Sequence, residues 1–408
     1  MNDPSIFRTS GGVTAPQGFT AAGVRCGLKS GSEDLAVIYT ALPATAAALF
    51  TRNRICAAPI VISRKHLRHK EFHAIVVNAG NANACTGHQG LKDALEMTEL
   101  TAHCLGLRPR EVLVASTGII GRKMDMDKIR QGIKEACKVL SSEGNESCSR
   151  AILTTDLQPK TAARMFYLGK KEIPAIIGGI AKGSGMIHPN MATMLAFLTT
   201  DVNIEHKCLN KALKIAVDKT FNMITVDGDT STNDSVFILA NGKAGTPLIE
   251  DKKTEEFEIF STALGEVCLD LARQIAADGE GATCLVRVEV EGALSKRDAK
   301  AVAKSIASSN LVKTAIFGRD PNWGRILCAV GYSGAKINPD KVSLWIGSEQ
   351  VVERGCPLHD FNRETASAAL KEKEVLIRVS LGQGKSTATA YTCDLTYDYI
   401  RINAEYHT

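Results

Sequence analysis

Short apolar runs suited to β-strands alternate with helical periodicity along the whole 408-residue chain. The strand-like runs are AVIYTA (36–41), HAIVVNAG (73–80), EVLVAST (111–117), SVFILANG (235–242) and CLVRVEVEG (284–292). Apolar residues recur at helical spacing over 124–140 and 254–277. No repeat of fixed period and no low-complexity linker interrupts this pattern. The alternation predicts an α/β or α+β fold and argues against a solenoid.

Composition and charge narrow the class of protein. The chain is 44% hydrophobic and 23% charged, which is typical of a globular protein with one or two substantial cores. The net charge of +5 is spread along the chain without a run of like charges, so we expect neither a nucleic-acid partner nor a membrane partner. The amino terminus lacks a signal-peptide pattern, and no apolar run reaches the roughly 18 residues of a membrane span, which predicts a cytoplasmic location.

The stretch KGSGMIHPNMATMLAFLTTD, residues 182–201, places glycines, a histidine and a proline just before an apolar run. Gly183 and Gly185 allow positive φ and close backbone approach, and Pro189 fixes the chain direction. Strain in such a loop could assist the shift of an acyl group from a peptide nitrogen to a hydroxyl. An ordinary Gly-Pro turn that precedes a strand fits the same residues. The pattern alone therefore leaves open whether the loop is a simple turn or a strained cleavage site.

Thr193 stands at the junction between this loop and the apolar run. A threonine hydroxyl is nearly inert until a base accepts its proton, and no His-Asp pair is arranged around Thr193 in the sequence. If the peptide bond between Ala192 and Thr193 were cut, the new α-amine, with an unperturbed pKa of about 7.7–8.0, would lie beside the hydroxyl. Thr193 would then carry both nucleophile and base.

Two other patterns resemble metal sites but lack necessary ligands. DGDTSTND (227–234) begins like a calcium loop, yet Thr232 stands where that loop needs glycine and Ile238 where it needs glutamate. His69 and His73 are four residues apart, but no third ligand is obvious and basic residues surround them. The twelve cysteines form no C-x-x-C pair, which argues against a zinc knuckle. We therefore expect no metal.

The chain resembles the ornithine acetyltransferase family of arginine biosynthesis over nearly its whole length. Besides the stretch at 182–201, the similar motifs are GGVTAPQGFTAAGV (11–24), NAGNANACTG (78–87), STGIIG (116–121), TVDGDTSTND (225–234), DGEGAT (278–283), SSNLVKTAIFGRDPNWGRI (308–326) and INAEYHT (402–408). Members of that family are made as precursors that cut themselves before the threonine. They act as monofunctional or bifunctional glutamate N-acetyltransferases.

The resemblance implies cleavage between Ala192 and Thr193. It gives an alpha fragment (1–192) with the oxyanion hole, the glycine-rich loop and the cleavage site, and a beta fragment (193–408) that begins with the nucleophile. It also implies layered helices and mixed sheets, in the manner of N-terminal-nucleophile proteins, with intertwined fragments commonly assembled as α2β2.

Site residues follow from the resemblance motif by motif. Thr117 and Gly118 match the family's oxyanion hole, and a hydroxyl and a backbone N–H are suitable donors for a developing negative oxygen. The positions that match substrate contacts are Thr154, Lys182, Thr193, Glu280, Asn403 and Thr408. Lys182 would hold a carboxylate and Glu280 an ammonium group. Cys284 follows DGEGAT where lysine is often found in the family, which bears on substrate preference.

The implied reaction is ping-pong transfer of acetyl from N2-acetyl-ornithine to glutamate through an acetyl-Thr193 ester, without a cofactor. Whether acetyl-CoA also serves as a co-substrate is not readable from the sequence. Two alternatives remain: an N-terminal-nucleophile hydrolase, such as a β-aminopeptidase, would pass the acyl group to water, and an uncleaved amino-acid-binding or regulatory protein would do no chemistry.

Overall fold

A computed structural model of the chain describes residues 5–188 and 194–405. The strands are β1 (Ile6–Arg8), β2 (Phe19–Val24), β3 (Leu35–Phe50), β4 (Phe72–Asn81), β5 (Val112–Ile119), β6 (Lys160–Leu168), β7 (Ile173–Lys182), β8 (Leu195–Thr200), β9 (Ser235–Ala240), β10 (Leu285–Ala293), β11 (Ser343–Ile346), β12 (Glu349–Glu353), β13 (Cys356–Pro357), β14 (Glu374–Ser380) and β15 (Ser386–Cys393). The helices are α1 (Ala58–His66), α2 (Gly87–Leu105), α3 (Met126–Lys138), α4 (Asn145–Ala151), α5 (His206–Lys219), α6 (Glu255–Ala277), α7 (Lys296–Ser308), α8 (Asn310–Phe317), α9 (Trp323–Gly331), α10 (Arg363–Ala369) and α11 (Tyr397–Glu405). Within the described ranges, no helix is long and apolar enough to cross a membrane.

Nine strands form one mixed sheet in the order β1-β6-β7-β8-β9-β3-β4-β5, with β2 beside the first part of β3. The pairs β4–β5 and β8–β9 are parallel, and the other neighbours are antiparallel. A second mixed sheet has the order β13-β12-β11-β14-β10-β15, in which β10–β14 is parallel. The mixed α/β class expected from the sequence is confirmed.

Strand β3 folds the large sheet over on itself. Its first part pairs with β4 as far as Ala44, after a register shift, and its last part pairs with β9 from Thr45 onward. Side chains from both parts of the sheet share one core, in which Ile38 and Val77 of one part lie with Phe197 and Phe237 of the other. The Phe197 and Phe237 rings stack with centroids 5.6 Å apart. The carboxyl end of β5 is thereby brought opposite the carboxyl end of β7 and the first residues of β8 and β9.

Helices cover the two outer faces of this folded sheet. Helices α5 and α6 pack on β6 to β9 around one large core, whereas α1, α2 and α3 pack on β2 to β5 around another. Every residue of β8 and of β9 is buried, as expected for strands covered on both faces. The layers are therefore helices, sheet, sheet and helices, and α6 also contacts the second sheet through β10 and β15.

The strands and helices predicted from local sequence are present in the structure. All five predicted strand runs coincide with strands, and the helical periodicities at 124–140 and 254–277 correspond to α3 and α6. Asp125 caps α3 by accepting a hydrogen bond from the Lys128 N–H, and Thr254 caps α6 by accepting one from the Phe257 N–H. These caps explain why the helices begin one or two residues later than the apolar pattern.

The segments on either side of residue 192 contribute to the same sheet. Strands β8 and β9, which follow that position, lie between β7 and β3, which precede it. Neither segment could therefore retain the large sheet without the other.

Candidate active site

A cavity of about 150 Å³ lies where β5 and β7 end and where β8 and β9 begin. Six residues that the sequence predicted as site residues line it: Thr117, Gly118, Thr154, Lys182, Glu280 and Asn403. The remaining predicted positions, Ala192, Thr193 and Thr408, lie outside the described residues. Met194, the covalent neighbour of Thr193, also lines the cavity.

Thr117 and Gly118 stand at the end of β5, next to β4. Gly118 has φ +129°, and a Cβ there would overlap the backbone of Gly80 and Asn81, so only glycine fits. The Lys182 Nζ lies 3.4 Å from Thr117 Oγ1. Because an ammonium group only donates, the Thr117 hydroxyl accepts this contact, and its own proton remains available to donate into the cavity.

Lys182 ends β7 and is buried, with 8% of its surface exposed. Its ammonium group lies 4.0 Å from the Asp156 carboxylate. Burial lowers the pKa of Lys182, and the charge of Asp156 opposes that change. A cation held this way can bind a second carboxylate that enters the cavity.

The Asp156 carboxylate connects the loop before β6 to the residues around the end of β7. Its Oδ1 accepts hydrogen bonds from the Gly183 N–H (2.6 Å) and Lys160 Nζ (2.7 Å), and its Oδ2 accepts one from the Thr154 N–H (3.1 Å). Lys160 Nζ also donates to Asp278 Oδ2 at 2.6 Å. Burial alone would raise the pKa of Asp156, but the ammonium groups of Lys182 and Lys160 hold it well below its usual range. This buried network was not predicted, although the spacing of Asp156 and Lys160 was visible in TTDLQPK.

Glu280 forms the opposite wall of the cavity. Its backbone N–H donates to Ser184 O at 2.9 Å, and its Oε2 accepts a hydrogen bond from Asn403 Nδ2 at 2.8 Å. The carboxylate lies directly over Gly185, where a Cβ would overlap it. The cavity therefore has a cation at one side and an anion at the other.

The segment that leads toward residue 189 is held by its backbone. Asp227 accepts hydrogen bonds from the N–H groups of Met186 (2.6 Å) and Ile187 (2.8 Å). The expected positive φ is present at Gly183 (+155°) but not at Gly185, whose role is steric. Met186 takes the left-handed conformation instead, with φ +55°, which is uncommon for a side chain of its size.

Two buried residues of the 225–234 motif complete the site and were not predicted. Asn233 Nδ2 donates to Ala82 O (2.5 Å) and to Ser116 O (2.8 Å), so it connects this loop to the end of β5 that carries Thr117. Asp234 lines the cavity with a carboxyl that is almost fully buried. The sequence signal for both residues is the motif TVDGDTSTND, whose composition by itself suggests only a calcium loop and the family resemblance.

The described part of the chain contains no cluster of three or more His, Cys, Asp or Glu that could hold a metal. His69 follows helix α1 and His73 lies in β4, so they do not form a pair on one helix. The Asp227 carboxylate, at the start of the calcium-like motif, accepts hydrogen bonds from three backbone N–H groups.

Comparison with known proteins shows where the chain belongs. The ArgJ family model matches residues 20–408. The chain belongs to the ArgJ family. The arginine biosynthesis bifunctional protein ArgJ of Symbiobacterium thermophilum is 49% identical over 402 residues, covering 98% of this chain and 99% of the relative. The protein of the same name from Bacillus licheniformis is 46% identical over 409 residues, covering 100% and 99%.

A solved ArgJ structure is also similar. The crystal structure of the arginine biosynthesis bifunctional protein from Bacillus halodurans is 50% identical and matches with a TM-score of 0.50. The match covers 52% of this chain and 98% of the solved chain. Membership of the ArgJ family confirms the expectation of an enzyme of arginine biosynthesis.

The buried network under the cavity yields a prediction for stability. The side chains of Lys160, Asp156 and Asp278 are at most 3% exposed. Lys160→Met should lower the free energy of unfolding by about 3–5 kcal/mol, because it removes the ammonium group that pairs with the buried Asp278 carboxylate and leaves Asp156 with only the more distant Lys182. The surface pair of Lys128 and Asp125 provides the control, since both side chains are about half exposed. Both variants are measured by urea denaturation. Lys128→Met should lower the free energy of unfolding by under about 1 kcal/mol, and equal losses in the two variants would refute the stabilising role of the buried network.

Proposed function

We propose that this chain transfers acetyl from N2-acetyl-ornithine to glutamate, after cutting itself between Ala192 and Thr193. The observation that carries the proposal is the cavity in which two oxyanion donors, a cation and an anion surround the residue that follows Thr193. The reaction needs no cofactor, because a hydroxyl nucleophile and an ester intermediate suffice for acyl transfer. Acetyl-CoA remains a candidate second donor.

Self-cleavage is supported by the way the preceding segment is held. Asp156 binds the Gly183 N–H, and Asp227 binds the N–H groups of Met186 and Ile187. These contacts fix the backbone as far as residue 188, with Met186 in the left-handed conformation. The solved chain from Bacillus halodurans matches over 98% of its own length, yet the match covers only 52% of this chain. Fragments of 192 and 216 residues, alpha and beta, would have that proportion. Because their strands share one sheet, the fragments would stay together after the cut, and two such pairs would give the α2β2 assembly of the family.

Recognition of an amino acid is supported by the charges at opposite walls. The Lys182 ammonium group would bind the α-carboxylate of ornithine or glutamate, and Glu280, oriented by Asn403, would bind an ammonium group. Thr154 and Thr408 would add polar contacts. This arrangement suits two amino-acid substrates that occupy the same place in turn.

The proposed chemistry has two halves. The Thr193 hydroxyl attacks the acetyl carbonyl while the Thr193 α-amine accepts its proton, and the proton passes to the leaving amine of ornithine. The amine of glutamate then attacks the ester, and the Thr193 α-amine passes a proton from that attacking amine to the Thr193 oxygen as the ester bond breaks. In both halves the Thr117 hydroxyl and the Gly118 N–H would donate to the negative oxygen of the tetrahedral intermediate.

Thr193→Ala should abolish both self-cleavage and acetyl transfer, because both steps require the hydroxyl. Thr193→Ser should retain part of each. The measurement is gel analysis of purified protein combined with an assay for N-acetylglutamate. The 43.7 kDa chain should stay wholly uncut in the alanine variant and be cut in part in the serine variant. Cutting that persists in Thr193→Ala would show that an outside protease is responsible.

Glu280→Gln should raise the KM for glutamate about 10- to 100-fold, because a hydrogen bond to a charged group contributes roughly 1.5–3 kcal/mol. Self-cleavage should continue, since the lost charge acts on the substrate. Glu258→Gln on the exposed side of α6 is the matched control and should leave KM unchanged. An unchanged KM in Glu280→Gln would remove this carboxylate from substrate binding.

A further inference from the structure

Self-cleavage poses a proton-transfer problem that acetyl transfer does not. Before the cut, the nitrogen of Thr193 is an amide nitrogen, which cannot serve as the base that the α-amine becomes afterwards. Another group must take the hydroxyl proton as the C–O bond forms and supply a proton to the nitrogen as the C–N bond breaks. The titratable side chains that line the described cavity are Lys182, Glu280 and Asp234.

Asp234 differs from the other two in its contacts. Its side-chain Oδ2 is buried and has no hydrogen-bond partner among the described residues, although the residue is only 3% exposed and lines the cavity. Lys182 is a cation engaged by Asp156, and Glu280 is hydrogen-bonded to Asn403 on the far wall. A buried carboxyl oxygen without a partner is destabilising, so this oxygen is free to accept a proton from a group that lies in the cavity.

The backbone holds Asp234 beside the residue that follows Thr193. Strands β8 and β9 are parallel with Leu195 opposite Ser235, so Asp234 is level with Met194. The Ser235 N–H donates to Met194 O at 2.9 Å, and the Thr51 N–H donates to Asp234 O at 2.9 Å. These hydrogen bonds fix Asp234 and Met194 side by side. Because Thr193 is covalently bonded to Met194, its amide nitrogen and hydroxyl belong to the residue directly before this fixed pair.

We propose that the Asp234 carboxylate carries the proton of self-cleavage: it accepts the Thr193 Oγ proton as Oγ bonds to the Ala192 carbonyl carbon, and returns it to the Thr193 nitrogen as the C–N bond breaks. The products are an Ala192–Thr193 Oγ ester and a free α-amine. Water then hydrolyses the ester. This inference rests on the self-cleavage in the proposed function.

The electrostatic surroundings agree with this role. Burial raises the pKa of Asp234 well above its usual range, and the groups that oppose the rise are the Ser231 hydroxyl and N–H, the Lys182 ammonium and the Met194 N–H. A carboxyl whose pKa is raised holds a proton more readily than an ordinary aspartate, which suits a group that must take up a proton and then release it. Because the ionised form must start the step, the cleavage rate should rise as pH increases through the pKa of Asp234 and then level off.

The test follows the full 408-residue chain after cell-free synthesis, by the loss of the 43.7 kDa band with time. Asp234→Asn should slow cutting by at least about 100-fold and abolish the rise with pH. Asp234→Ala should also be slow, and sodium formate, but not sodium chloride at the same concentration, should restore part of its rate. Asp201→Asn is the matched control, because Asp201 is equally buried and binds the N–H groups of Gln17 and Ile176 away from the cavity. It should cut at the rate of the unaltered chain.

Three outcomes would overturn the inference. They are an Asp234→Asn chain that cuts within about threefold of the unaltered rate, an unaltered chain whose rate shows no rise with pH, and slow Asp234 variants that formate does not restore. The second outcome needs no variant and so does not depend on how the variants fold. An unaltered chain that never cuts would instead refute the proposed function.

Discussion

The buried carboxylate of Asp156 is the interaction on which the rest of the site depends. It accepts hydrogen bonds from the backbone N–H groups of Thr154 and Gly183 and from Lys160 Nζ. The Lys182 ammonium group lies 4.0 Å from it. One charged group thereby fixes the loop that carries Thr154, the start of the glycine-rich loop and the cation of the cavity. Without it, burial of Lys182 would favour the neutral amine, and the cavity would lose the charge that suits it to a carboxylate.

The folded sheet provides the second constraint, because it brings distant strand ends together. Thr117 at the end of β5 and Lys182 at the end of β7 are 65 residues apart in sequence, yet their side chains are in contact. The bend in β3 and the Asn233 bridge to Ser116 account for this approach. Since the strands on each side of residue 192 alternate within the sheet, a cut there would leave the cavity assembled.

Elements with strong local signals were predictable from sequence, whereas the contacts between segments were not. The apolar runs of β4 and β5 and the helical periodicities of α3 and α6 are local signals, and the structure confirms the elements that they predict. The second part of β3, LPATAAALF (42–50), is not predicted as strand, because alanine and proline are poor strand formers and its pairing with β9 begins only at Thr45.

The site shows the same division. Motif similarity identified six of the residues that line the cavity, but it did not reveal the pair of Lys160 and Asp278, which are 118 residues apart, or the burial of Asp234. Those features arise from packing between elements, and no local pattern encodes them.

The most direct test of the account uses processed protein mixed with N2-acetyl-ornithine alone, followed by intact mass measurement of the fragment that begins at Thr193. A ping-pong transferase whose site excludes water should accumulate one acetyl group on that fragment, because the amine acceptor is absent. Adding glutamate should remove the acetyl group and yield N-acetylglutamate. Release of free acetate alone, with or without glutamate, would contradict the account and assign the chain to hydrolysis.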